Sequence, residues 1–256
     1  MLQTMVLTAL AVLLIHGAAF GQVIEFEGRY WLTDLNSGSV KAKNNEITGN
    51  DVDFHDDLGL RANGAPEGRL TVFTGPFSRI RLTYTHLSFE GDKTLTRAVT
   101  FQGQTFTAAT RVMTDLEIHY GRLGWLWQPL SIPGVLKFGG LFEVKGFLAD
   151  ASLRTRGLTP EIRESGVFPL VVPTLGLALD VTPPMLPMLH VFGEVSGLPA
   201  GDLGNIVDAE AGFRFVPVRF FTVSAGYRFF DIGIGKNDDI AKLRLRGPFV
   251  GVSFRF

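Results

Sequence analysis

The residues able to do chemistry fall into two patterns. Asp51, Asp53, His55, Asp56 and Asp57 crowd one short stretch. A carboxylate beside an imidazole is the pairing that activates a water for hydrolysis or holds a cation, although a solvated acidic loop explains the same composition equally well. Asp115-Leu116-Glu117-Ile118-His119 places three titratable groups at every second position. On an extended chain alternate side chains share a face, so these three make a proton-handling or metal-like cluster on one side of a strand. Neither pattern completes a catalytic set. No serine-centred nucleophile motif occurs, and the absence of Cys excludes thiolate chemistry, disulfides and cysteine metal sites. The expectation is therefore no catalytic residue, no metal and no cofactor.

Strands are what hold side chains at a spacing of two, and the same alternation recurs along the chain. Ile24, Phe26, Gly28 and Tyr30 alternate with Glu25, Glu27 and Arg29, and Ile80, Leu82 and Tyr84 with Arg79 and Arg81. Leu116, Ile118 and Tyr120 oppose the Asp115 set, while Phe138, Phe142 and Val144 oppose Lys137, Glu143 and Lys145. Further on, Asp208, Glu210 and Arg214 share one parity, and Phe221, Val223, Ala225, Tyr227 and Phe229 another. The pattern predicts about ten strands, with eight or twelve also compatible. Tight proline-containing turns near 75, 129, 184 and 217 alternate with polar loops near 45, 99, 157, 201 and 237. Trp125 and Trp127, beside the turn expected at Pro129, read as part of an interfacial aromatic girdle. Pro169 and Pro173 fit less well, because a proline inside a paired strand forfeits a ladder bond.

Composition narrows the class. Charged residues are 19 % and aromatics 11 %, with 22 Phe and 30 Gly, yet the apolar residues are dispersed rather than massed. That favours a barrel with an apolar exterior over a helical membrane protein. A net charge of −1 without a basic stripe argues against nucleic-acid binding. Residues 1–21 are the exception to dispersal. Met5 to Ile15 has the length of a signal-peptide core, and Ala19-Phe20-Gly21 offers a cleavage site, so the expected division is a signal peptide over 1–21 and one β-domain over 22–256. No Lys or Arg precedes that core, which is atypical.

The closing stretch, Leu243 to Phe256, reads LRLRGPFVGVSFRF, with Val250, Val252, Phe254 and Phe256 on one face and Gly251, Ser253 and Arg255 on the other. It resembles the last strand of bacterial outer-membrane β-barrels. The resemblance implies a closed antiparallel transmembrane β-barrel in the outer membrane of a Gram-negative cell. It also implies Phe254 and Phe256 as the signal read by the barrel assembly machinery, and outer-membrane lipid and lipopolysaccharide as surroundings. A monomer is expected. Lipid then requires the apolar parity outside and the charged parity inside. The expected lumen set comprises Arg29, Arg79, Arg81, Asp115, Glu117, His119, Glu143, Lys145, Glu194, Glu210, Arg214 and Arg228, together with Glu25, Glu27, Arg69, Lys137, Asp208 and Arg255. Its mixed signs suit either a plugged interior or a narrow passive channel. The alternative from a different class is an outer-membrane enzyme, protease-like or lipid A hydrolase-like, using the acidic and His cluster around Asp53 and His55 at the rim.

Overall fold

The computed structural model describes residues 23–41, 43–44, 47–48, 52–54, 57–96, 98–101, 104–155, 163–199, 204–236 and 239–256. The expected signal peptide, and Asp51, His55 and Asp56 of the acidic cluster, lie outside these residues. Ten long strands form the wall: β1 (Val23–Trp31), β2 (Ala65–Phe73), β3 (Ser78–Thr94), β4 (Arg111–Ile132), β5 (Leu136–Thr155), β6 (Arg163–Val181), β7 (Leu189–Pro199), β8 (Gly204–Val218), β9 (Phe221–Lys236) and β10 (Asp239–Arg255). Each pairs antiparallel with its sequence neighbour. Closure comes from β1 on β10, from Glu25↔Arg255 to Trp31↔Phe249. The Phe256 N–H donates to the Ile24 carbonyl at 2.8 Å and the Ile24 N–H to the Phe256 carbonyl at 3.1 Å, which carries the seam through the last residue. No wall strand is left as a free edge over the lipid-facing part of the seam, which is the condition hydrocarbon imposes on a sheet.

Short connections at 74–77, 133–135, 182–188 and 219–220 gather at one end, the periplasmic end by the usual asymmetry of such barrels. Two of them differ from the expected positions. Pro129 and Pro217 mark bulges rather than turns, since the register slips by one residue between Trp127 and Leu130 and again between Phe215 and Val218. A proline has no N–H to give the ladder, and a bulge is a place where none is required. The β4–β5 turn follows at Pro133, where Gly134 takes a φ of 72°. Pro169 and Pro173 find a different solution. The β6–β7 ladder stops at Leu175↔Gly197, so both prolines occupy a stretch paired, among the described residues, only to β5.

At the other end the strands run on past the expected loop boundaries. Asp34–Lys41 continues the line of β1 and pairs with β10 at Ile240 to Arg246, and β9 and β10 stay paired up to Lys236↔Asp239. The chain changes over at Leu32, whose carbonyl lies where a side chain on Gly247 would start, only 1.8 Å from its Cβ position, so glycine is required there. Segments expected as loops near 99 and 237 are thus partly strand, with Val99–Phe101 on Gln104–Phe106.

The parity of β4 reverses the expected one. Leu116, Ile118 and Tyr120 are buried inside, while Asp115, Glu117 and His119 face outward. The rule of apolar outside holds only where lipid touches the wall. β4 is 22 residues long, at least twice the roughly 9–11 that span a bilayer, and its first half rises into water. There the wall behaves like a soluble sheet, polar outward and apolar inward.

Candidate functional site

The lumen holds two stacked layers. On the periplasmic side, within the membrane span, the buried charged side chains of the wall among the described residues are Glu27, Glu67, Glu143, Glu194, Asp208 and Glu210 against Arg29, Arg69, Arg81, Arg122, Lys145 and Arg228, six of each sign. They come from β1 to β5 and β7 to β9, and each is placed by the period of two. Asp208 is the most connected acceptor. It takes hydrogen bonds from Arg228 Nε at 3.0 Å, Lys145 Nζ at 3.0 Å, Arg122 Nη1 at 3.3 Å and the Tyr120 hydroxyl at 2.9 Å. Glu67 takes Arg228 Nη1 at 2.7 Å, Arg122 Nη2 at 3.0 Å and the Thr85 hydroxyl at 2.8 Å. Glu210 joins Arg29 (3.1 Å) to Arg69 (3.2 Å), Glu194 meets both ends of the Arg81 guanidinium, and Glu143 accepts from Lys145 at 3.0 Å and Ser196 at 2.7 Å.

Charges stripped of water survive only when their partners replace it. This network supplies those partners across the barrel axis. Arginine faces are also covered by aromatic rings, with Arg228 4.6 Å from the Trp31 centroid and Arg29 4.5 Å from that of Phe249. The gap bordered by Arg29, Trp31, Glu67, Arg228 and Phe249 is too small for a water molecule.

Above the ions sits an apolar layer. Trp31, Leu87, Phe89, Leu116, Ile118, Tyr120, Phe230 and Leu245 pack inward from the wall, and Leu58 and Leu60 join them from the segment that precedes β2. That segment lies on the inner face of β3, where Gly91 has the Leu58 carbonyl 2.4 Å from its Cβ position. Tyr120 belongs to both layers, its ring stacked on Phe147 at 4.3 Å and its hydroxyl on Asp208. The interior is therefore filled twice, by ion pairs and by hydrocarbon.

Of the expected lumen residues, Arg29, Arg81, Glu143, Lys145, Glu194, Glu210 and Arg228 are in the network with Glu27, Arg69 and Asp208. Arg79 and Arg214 share the lumen parity nearer the periplasmic mouth, where Arg214 reaches Asp180 at 2.6 Å. Lys137 and the Glu25–Arg255 pair (2.9 Å) are at the mouth itself. Asp115, Glu117 and His119 are outside the barrel, a correction that follows from the reversed parity of β4. Glu67 and Arg122, both central to the network, were not expected. Glu67 stands two residues from Arg69 at the start of β2, and Arg122 shares the parity of Tyr120, which the alternation alone puts on the lipid side. Of the acidic cluster, Asp53 lies in the short strand Val52–Asp53 and Asp57 is buried.

Outside, a continuous apolar belt starts at the periplasmic turns. Leu82, Leu123, Trp125, Trp127, Phe142, Leu175, Phe213, Val252 and Phe254 are all large and exposed. Trp125 and Trp127 flank its periplasmic edge, with the indole N–H of Trp125 on Ser78 at 2.9 Å, and Tyr30, Tyr84 and Tyr227 sit further up the wall. Such a belt on a closed cylinder with a charged interior has one solvent that fits it, the outer-membrane bilayer. The chain is an outer-membrane β-barrel. Among solved structures it is similar to the outer membrane protease OmpT from Escherichia coli, at 10 % identity, 91 % coverage of this chain and 97 % of that one, with a TM-score of 0.55. The translocator domain of the autotransporter NalP from Neisseria meningitidis aligns at 12 % identity over 92 % and 88 % of the two chains with a TM-score of 0.47. The transport unit of the autotransporter AIDA-I from Escherichia coli aligns at 8 % over 92 % and 90 % with a TM-score of 0.42. Neither a protein-family model nor a curated protein matches the sequence. At 10 % identity the likeness to OmpT is one of fold.

Proposed function

We propose that the protein is a sealed structural barrel of the outer membrane, which anchors an extracellular rim and conducts nothing. One observation carries this reading: a charge-balanced ion network under an apolar layer, with no space for water between Arg29, Trp31, Glu67, Arg228 and Phe249. A passive pore requires a continuous wet path, and moving a single network charge aside leaves its partners buried and unpaired. On this reading the barrel works as a monomer whose surroundings are lipid and lipopolysaccharide, and the assembly machinery receives it through the strand ending in Phe254 and Phe256. The expected result in a planar bilayer is silence from protein whose heat-modifiable gel mobility shows it to be folded. Discrete conductance steps would overturn the proposal in favour of the narrow channel. The reading also assigns no reaction to the protein. Hydrolysis of peptide or lipid A by the folded barrel, lost in Asp53→Ala or His55→Ala, would replace it with an enzyme.

A further inference from the structure

The outward face of β3 and β4 carries a cluster that neither lipid contact nor the lumen network explains. His86 and His119 are direct cross-strand partners, with rings stacked 5.0 Å apart, and Glu117 is the diagonal neighbour two positions along β4. One ligand atom from each of the three lies within 4.8 Å of the other two. Nε2 of His86 is shielded from solvent and makes no hydrogen bond, and the nearest carboxylate oxygen, on Glu117, stands 3.9 Å away. That separation is too long for a hydrogen bond. It is wider than the spacing of two donors sharing one ion, for which zinc keeps nitrogen and oxygen ligands at about 2.0–2.2 Å, so the stacked rings turn on binding to bring their in-plane lone pairs onto one ion.

The neighbours point the same way. Asp115 is taken by Arg154 at 2.6 Å and Asp92 by Arg111 at 2.7 Å, whereas Glu117 faces the imidazoles. The Tyr84 hydroxyl lies 2.7 Å from Nδ1 of His119. With Nδ1–H donating to that oxygen, the ring is held in orientation and Nε2 keeps its lone pair for a metal, the arrangement in which an outer partner fixes a ligating histidine. All four side chains sit at or just above the upper edge of the lipid-facing belt, within reach of aqueous ions.

We propose that His86, Glu117 and His119 form a site for a divalent transition-metal ion of the zinc type, positioned by Tyr84, with a further coordination place open to water or to an external ligand. Two imidazoles and a carboxylate are a donor set of zinc rather than of calcium or magnesium, which take oxygen. The proposal does not depend on whether the lumen is sealed.

The test is calorimetric titration of the tag-free full chain, folded in detergent, with zinc chloride and separately with calcium chloride. One saturable zinc equivalent is expected, with calcium bound far more weakly. His86→Ala and His119→Ala each remove it, and Tyr84→Phe weakens it by roughly tenfold. His55→Ala and His190→Ala leave it unchanged. Because the three ligands point out of the barrel, the variants keep the heat-modifiable mobility of the parent, which separates loss of the site from loss of folding. Absence of saturable zinc binding, or binding indifferent to His86→Ala and His119→Ala, would overturn the proposal. So would binding lost only in His55→Ala, which would place the ion among the acidic residues of 51–57.

Discussion

Asp208 shows how much rests on one residue. Its two oxygens serve Arg122, Lys145, Arg228 and Tyr120, so replacing it with alanine leaves three cations in the lumen without their shared counter-charge. The expected loss is about 3–5 kcal/mol, the usual result of breaking a buried ion pair from one side. Equilibrium unfolding in urea from lipid vesicles measures it, and a change below 1 kcal/mol would mean that water already hydrates the network. Several members of this network are legible from the chain, because Arg29, Arg81, Glu143, Lys145, Glu194, Glu210 and Arg228 share the charged parity of their strands. Glu67 and Arg122 are not, for a local reason. Each lies where the alternation is hard to read, Glu67 near the start of β2 and Arg122 just below the level at which β4 exchanges its polar and apolar faces.

A strand of this barrel has two solvents along its length. β4 carries Leu123, Trp125 and Trp127 outward in the membrane but Asp115, Glu117 and His119 outward above it, while its inner face changes from Arg122 below to Leu116 and Ile118 above. A single rule for the whole strand therefore misplaces half of it. The boundary is measurable by charge. Leu123→Arg is expected to cost about 2–4 kcal/mol, as a cation near the midplane of the lipid-facing surface, whereas Met113→Arg on the same face ten positions up costs about 0–1 kcal/mol. Unfolding of the two variants from vesicles tests this, and equal costs would mean that lipid does not end between them. Prolines follow the same logic. Pro129 and Pro217 resemble turns in sequence because both proline at a turn and proline at a bulge are solutions to one missing N–H.

For the whole molecule, the decisive property on the sealed-barrel proposal is how the interior is filled. Glu67 and Arg228 both border the small gap beside Trp31 and Phe249. Trimming them together, Glu67→Ala with Arg228→Ala, removes one charge of each sign and so keeps the balance while making room for water. Folded protein of this double variant is expected to give small discrete conductance steps in planar bilayers where the parent is silent. Silence from both would place the seal in the apolar layer around Leu58 and Leu60 instead. By itself the chain determined an outward apolar belt, an even strand number near ten, turns short at one end, and a closing strand that ends on Phe254 and Phe256, since each is a local consequence of side-chain period or of glycine and proline chemistry. Only the closed structure decided which charges meet and which side of β4 faces the lumen. Pairing across the axis joins residues as far apart as Arg29 and Glu210, and neither that distance nor the height of the lipid surface is written in any local pattern.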